Sequence, residues 1–133
     1  MNKYTLNFKG HFDAAHRLES YTGKCSNLHG HRWDIEITLY TDSLQNEMVL
    51  DFNVLKDILD EFDHSTILKQ CEENQDLINL INQKGWKLIL LLKSPTAENI
   101  SKEIYERIYN ITVSDLKVKV FESPNASIEY ENY

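Results

Sequence analysis

The chain has 133 residues, of which 41% are hydrophobic and 11% aromatic, enough to bury a core and too apolar for a disordered chain. Fourteen Lys and Arg against 21 Asp and Glu leave a net charge of −7, the wrong sign for a module built to grip nucleic acid or an anionic membrane. With two cysteines, Cys25 and Cys71, it does not read as a disulfide scaffold.

The start of the chain shows no charged segment leading into an apolar run, so no signal peptide is expected. The longest apolar run, Leu88–Leu92, is far short of the roughly 20 residues needed to span a bilayer. These features predict one soluble, cytoplasmic domain over residues 1–133, with no membrane or nucleic-acid partner.

In chain order, Tyr4, Leu6 and Phe8 alternate with polar residues and predict a half-buried strand. His11 to Leu28 is rich in polar and turn-forming residues. Trp33, Ile35, Ile37 and Leu39 alternate with Asp34, Glu36 and Thr38 in the clearest strand of the sequence. Val54, Leu55, Ile58, Leu59 and Phe62 form one apolar stripe, predicting a helix over residues 53–62 capped by Asp51 or Asn53. Polar residues 69–76 precede a short apolar piece, Leu77–Ile81, and Lys87–Leu92 reads as a buried strand. Ser94-Pro95 reads as the start of a second helix that runs to about Tyr109. Leu116, Val118 and Val120 mark a further strand, and Ser127–Tyr130 a short last one. This order predicts an α+β layer: an antiparallel four-stranded sheet with two helices on one face, and sheet edges available for pairing between subunits.

Three of the five histidines carry the chemical interest. His29-Gly30-His31 opens the best strand, where residues i and i+2 point the same way, so both rings can face one point. If the first two strands pair, His16 can join them. Three neutral imidazoles with one position open are the arrangement of a catalytic zinc site. A His-x-His pair alone is more often two polar residues beside a turn. Cys25, in a turn-like stretch beside Lys24, is a fourth ligand or a reactive base; its bland alternative is a small buried side chain. Asp63-His64 can act as an oriented imidazole or can simply end a helix. Glu122, after a strand and before Ser123-Pro124, is a solvated carboxylate or, if buried, an anchor for an amidine-like edge.

Six stretches together resemble one family. They are Phe12-Asp13-Ala14-Ala15-His16-Arg17-Leu18, residues 23–31 from Gly23 through Cys25 to His31, Leu50-Asp51-Phe52 with Leu55-Lys56, Phe62-Asp63-His64, Pro95-Thr96-Ala97-Glu98-Asn99, and Glu122-Ser123-Pro124. In this order they are similar to the 6-pyruvoyl-tetrahydropterin synthase / 6-carboxytetrahydropterin synthase family. The resemblance implies a tunnelling fold whose subunits join sheets edge to edge, usually as a hexamer of two stacked trimers with sites between subunits. It implies a zinc ion on His16, His29 and His31, Cys25 as catalytic base, His64 paired with Asp63 for the second proton, and Glu122 as anchor of the pterin ring.

The three residues between Cys25 and His29 resemble the carboxy-forming branch. That branch converts 7,8-dihydroneopterin triphosphate to 6-carboxy-5,6,7,8-tetrahydropterin, acetaldehyde and triphosphate in queuosine synthesis. The alternatives are the pyruvoyl-forming synthase, which stops at loss of triphosphate, and a non-catalytic domain with structural zinc. Arg17 and Lys24 are the nearest candidates for the phosphate tail. Where the family usually carries Leu-Asn after the Asp-His pair, this chain has Ile67-Leu68, and residues 71–92 carry no recognisable motif.

Overall fold

Strand β1 (Tyr4–His16) and strand β2 (His29–Thr41) pair antiparallel along their whole length, from Tyr4 opposite Thr41 to His16 opposite His29. The computed structural model describes residues 3–19 and 23–132. Alternation puts Leu6, Phe12, Ala14, Trp33, Ile35, Ile37 and Leu39 on one face, all buried. Strand β5 (Asp115–Ser123) pairs antiparallel with the other side of β2, and β6 (Ala126–Glu131) pairs with β5 through an irregularity between Phe121 and Ser123.

Two helices cover the apolar face. Helix α1 (Phe52–Asp60) buries Leu55, Ile58 and Leu59, and Asp51 caps it by accepting from the Asn53 N–H at 2.9 Å. The long helix, Ala97–Thr112, buries Ile100, Ile104, Tyr105 and Ile108 in the same core. It starts later than the Ser94-Pro95 reading: Thr96 is the cap, its hydroxyl accepting from the Asn99 N–H at 3.2 Å. Gly10 lets α1 come close. A Cβ there would stand 2.6 Å from Leu59 Cδ1. Gly30 is under no such pressure, since its added Cβ would meet only the Ala14 carbonyl at 3.7 Å.

Strands β1, β2, β5 and β6 pair antiparallel under two helices, as the sequence predicts, but the sheet has six strands rather than four, and the strand read at 87–92 pairs parallel, outside this antiparallel set. The sheet then continues beyond them. Strand β3 (Ser65–Lys69) runs parallel to the end of β1, Ala14 opposite Ser65, and β4 (Leu88–Leu91) runs parallel to β3. Helix α2 (Gln75–Lys84) connects them and ends at Gly85, whose φ of 72° suits a left-handed cap; the long helix is therefore α3. The six strands lie in the order β4-β3-β1-β2-β5-β6. Strand β3 carries no alternation because both its faces are covered: Ile67 enters the main core, while Leu68 packs with Ile78 and Ile81 of α2. The Ile67-Leu68 pair that departs from the family pattern thus forms the centre of this strand. Strand β4 is an edge strand with Leu91 buried and Leu90 exposed, so the fully buried strand read at residues 87–92 is only half covered.

Candidate metal centre and catalytic groups

Strand parity assembles the centre. His16 ends β1, His29 and His31 begin β2, and Glu122 continues the buried series Leu116, Val118, Val120 of β5. All four side chains therefore point to the helix-covered face at one end of the sheet. One ligand atom from each lies within 4.8 Å of the others. Trp33, fully buried, forms the floor: its ring stands edge-on to His16 and His31, and its Nε1–H donates to the Ala14 carbonyl at 3.2 Å.

Backbone carbonyls orient two of the rings. The His16 Nδ1–H donates to Pro95 O at 2.7 Å, and the His29 Nδ1–H donates to Asn27 O at 2.7 Å. Each bond leaves Nε2 as a bare lone pair aimed inward. The two Nε2 atoms stand 3.1 Å apart. His31 Nε2 is buried without a hydrogen-bond partner, and a Glu122 oxygen lies 3.1 Å from it and 3.9 Å from His16 Nε2. Burial holds the His16 and His31 imidazoles below the usual histidine range, which favours the neutral, ligating form. Converging lone pairs with no proton between them, beside a carboxylate, fit one divalent cation. Three nitrogens and an oxygen are a donor set that zinc accepts.

The other sequence-derived candidates fall into two places. Cys25 is a free, half-buried thiol in the 3-10 turn Lys24–Ser26, between the end of β1 and the start of β2. It is not one of the four clustered donors; Glu122 takes that place. The Asp63–His64 pair forms as expected, His64 Nδ1 lying 2.8 Å from Asp63 Oδ2. The other Asp63 oxygen accepts from the Asp13 N–H at 2.9 Å, and that bond chiefly holds its carboxyl below the usual carboxylate range. His64 adopts a left-handed backbone, φ 60°, and its own N–H donates to Asp13 O at 2.7 Å. Its ring is mostly exposed and opens into a different cleft, of about 590 Å³, shared with His11, Asp13, Arg32 and Lys56. Within one chain the structure thus gathers His16, His29, His31 and Glu122 and leaves Asp63 and His64 in a separate cleft.

Residues 5–133 match the family described as 6-pyruvoyl tetrahydropterin synthase. The chain belongs to this family. Among its members, the 6-carboxy-5,6,7,8-tetrahydropterin synthase of Rickettsia felis is 39% identical over 133 residues, covering 89% of this chain and 93% of the relative. The enzyme of the same name from Haemophilus influenzae is 34% identical, over 90% of this chain and 93% of its own. In structure, an uncharacterized protein of Wolinella succinogenes superposes with a TM-score of 0.75 at 20% identity, over 100% of both chains. The 6-pyruvoyl tetrahydropterin synthase of Plasmodium falciparum superposes with a TM-score of 0.70 at 19% identity, over 98% of both. The α+β tunnelling fold implied by the sequence resemblance is therefore the fold of this family member.

Glu122, expected as the pterin anchor, places a carboxylate oxygen among the three histidines. Its signal was present in the parity of Leu116, Val118, Val120 and Glu122, which places it on the same face as the histidines. Arg17, a candidate for the phosphate tail, has its guanidinium engaged inside the protein, on Ser26 O and Asn74 Oδ1. No helix among the described residues is long and apolar enough to cross a membrane.

Proposed function

We propose that this family member is a zinc-dependent, cytoplasmic 6-carboxy-5,6,7,8-tetrahydropterin synthase of queuosine synthesis, converting 7,8-dihydroneopterin triphosphate to 6-carboxy-5,6,7,8-tetrahydropterin, acetaldehyde and triphosphate. The observation that carries the reading is the inward-facing set of His16, His29, His31 and Glu122 at the end of the sheet. The curated relatives of that name support the choice of reaction.

His16, His29 and His31 would hold the zinc, which when bound would supply Lewis acidity toward the hydroxyl oxygens of the substrate side chain. Cys25 as thiolate takes a proton from that side chain. His64, held by Asp63 at 2.8 Å, handles the second proton. Glu122 pairs with the guanidine-like edge of the pterin. Its carboxylate sits beside the imidazoles, so the ring it holds is kept at short range from the metal. Proton relocation of this kind raises the ring to the tetrahydro state without a nicotinamide or flavin.

The placement of the Asp63–His64 cleft away from the histidine cluster supports a site completed between subunits. Among the described residues, Tyr4 to Asp13 of β1 have no strand partner on the side away from β2, and β6 is the other edge of the sheet. Edge pairing of these strands would build a ring of subunits, and stacking of two such trimers the hexamer expected for the family.

The test is mass spectrometry of the products formed by the zinc-loaded protein from 7,8-dihydroneopterin triphosphate. A 6-carboxytetrahydropterin signal with acetaldehyde is the expected result. A 6-pyruvoyl product assigns the pyruvoyl-forming reaction instead. Unchanged substrate, with stability that collapses on chelation, assigns a structural metal.

A further inference from the structure

Residues 71–92 hold none of the six family-like stretches, yet they touch the segment that carries Cys25. Arg17 leaves β1 directly after His16, with its side chain largely buried. Its Nε donates to Ser26 O at 2.8 Å, and the neighbouring Leu18 N–H donates to Cys25 O at 2.8 Å. The Cys25 turn is therefore hung from the exit of β1 by two hydrogen bonds.

Arg17 is itself aimed from elsewhere. One guanidinium nitrogen donates to Asn74 Oδ1 at 2.6 Å, and another lies 3.9 Å from Glu73 Oε1. Asn74 is 1% exposed and belongs to the short 3-10 turn Glu72–Asn74 that precedes α2. Its amide is used at both ends, since Nδ2 donates to Lys69 O at 2.9 Å while Oδ1 takes the arginine. Its backbone N–H donates to Cys71 O at 3.1 Å. A side chain held at both ends of its amide is confined to one rotamer, and it passes that restriction to a long arginine that would otherwise sample many.

We propose that Asn74 is a positioning residue: through Arg17 it fixes the turn that carries Cys25 and so sets the thiol for proton abstraction. This gives the β3–α2–β4 extension a catalytic purpose, because it delivers Asn74 to the exit of β1. The proposal rests on the reading of Cys25 as the base. Removing the Asn74 oxygen leaves a buried guanidinium short of an acceptor and frees the turn. A displacement of a reacting group by about 1 Å can cost up to roughly 100-fold in rate.

The experiment uses the zinc-loaded full chain in a Cys71→Ser background, where Cys25 is the one thiol. Asn74→Ala, Asn74→Asp, Arg17→Lys and Cys25→Ser are compared for kcat, KM, zinc content and the rate of Cys25 alkylation by iodoacetamide. Asn74→Ala is expected to lower kcat about tenfold or more with KM within about twofold, and to change the alkylation rate at least about threefold. Zinc stays equimolar. Asn74→Asp keeps an acceptor for Arg17 but loses the donor to Lys69 O, and is expected to fall between Asn74→Ala and the parent in both rates.

Parent-like kcat and alkylation in Asn74→Ala, whatever its melting temperature, would overturn the proposal. So would parent-like kcat and alkylation in Arg17→Lys, since the Asn74 oxygen is proposed to act through the guanidinium. If Asn74→Ala does not fold, Arg17→Lys decides alone under the same criteria, because a point charge cannot span both acceptors. Parent-like turnover in Cys25→Ser would instead remove Cys25 as the base. The alkylation rates then still decide whether Asn74 sets the turn.

Discussion

His16 Nε2 and His29 Nε2 stand 3.1 Å apart although each ring has already given its Nδ1–H to a backbone carbonyl. In their neutral forms neither nitrogen carries a hydrogen to offer the other. Two lone pairs face each other, and a cation relieves that arrangement.

Loss of one of these rings is expected to empty the centre. His29→Ala removes one of the two opposed nitrogens and leaves the buried His16 with its Pro95 bond. Metal analysis of the purified variant should find less than a tenth of an equivalent of zinc, against one in the parent, since imidazole sites built on three protein ligands fail with two. Equimolar zinc in a folded His29→Ala protein would remove His29 from the ligand set.

The same centre sets the acid response of the metal-free protein. Burial lowers the folded-state pKa of His16 and His31 below the ordinary 6.5. Between the folded and unfolded values the unfolded chain binds more protons, so stability rises with pH there. The contribution is whole above pH 6.5 and drains as pH falls from 6.5 through the folded pKa values. Thermal unfolding of chelated protein should show a midpoint that drops as pH falls below 6.5. The drop should be smaller in His16→Gln. A flat profile in the parent contradicts the burial argument.

Glu122→Gln keeps the shape of the side chain and removes its charge. Zinc should be retained, because three imidazoles remain, while KM for the pterin rises about tenfold or more, the size of a lost charged hydrogen bond. Loss of zinc in this variant would make Glu122 a ligand in place of an anchor.

A shared site can be tested by mixing. His29→Ala and His64→Ala should each be inactive alone. If the His64 cleft of one subunit completes the histidine centre of its neighbour, co-expression of the two should recover part of the activity in the mixed assembly. No recovery, in an assembly shown to contain both chains, places the whole site in one subunit.

Gly10→Ala tests how tightly α1 sits on β1. The added carbon would lie 2.6 Å from Leu59 Cδ1 and 3.1 Å from Phe8 Cε1, and Leu59 is 2% exposed. Overpacking of this kind should lower the unfolding free energy by about 1–3 kcal/mol, read from urea denaturation with an unchanged slope. An unaltered midpoint would mean that Leu59 has room to turn away.

Much of the fold could be read in advance because its strands are half-buried. Trp33, Ile35, Ile37 and Leu39 announce β2, and Leu116, Val118 and Val120 announce β5, since one covered face writes a period of two into the chain. Ser65–Lys69 was hidden for the opposite reason. Ile67 and Leu68 are both fully buried, on opposite faces, so no alternation survives. The Asp63–His64 contact was legible because neighbours in the chain need no fold to meet.

By itself, then, the sequence determined the strand faces, the helix stripes and the pairing of His29 with His31, all consequences of local periodicity. Distances between chain-remote groups were decided by the tertiary structure. The full-length register of β1 on β2 brought His16 to His29. Strand β5, laid beside β2, carried Glu122 to His31. The parallel seat of β3 beside β1, followed by the turn into α2, brought Asn74 to Arg17 across 57 positions of chain. Such meetings depend on which strand edges pair and in what register, and that is settled by burying the whole core at once, beyond the reach of any one segment's pattern.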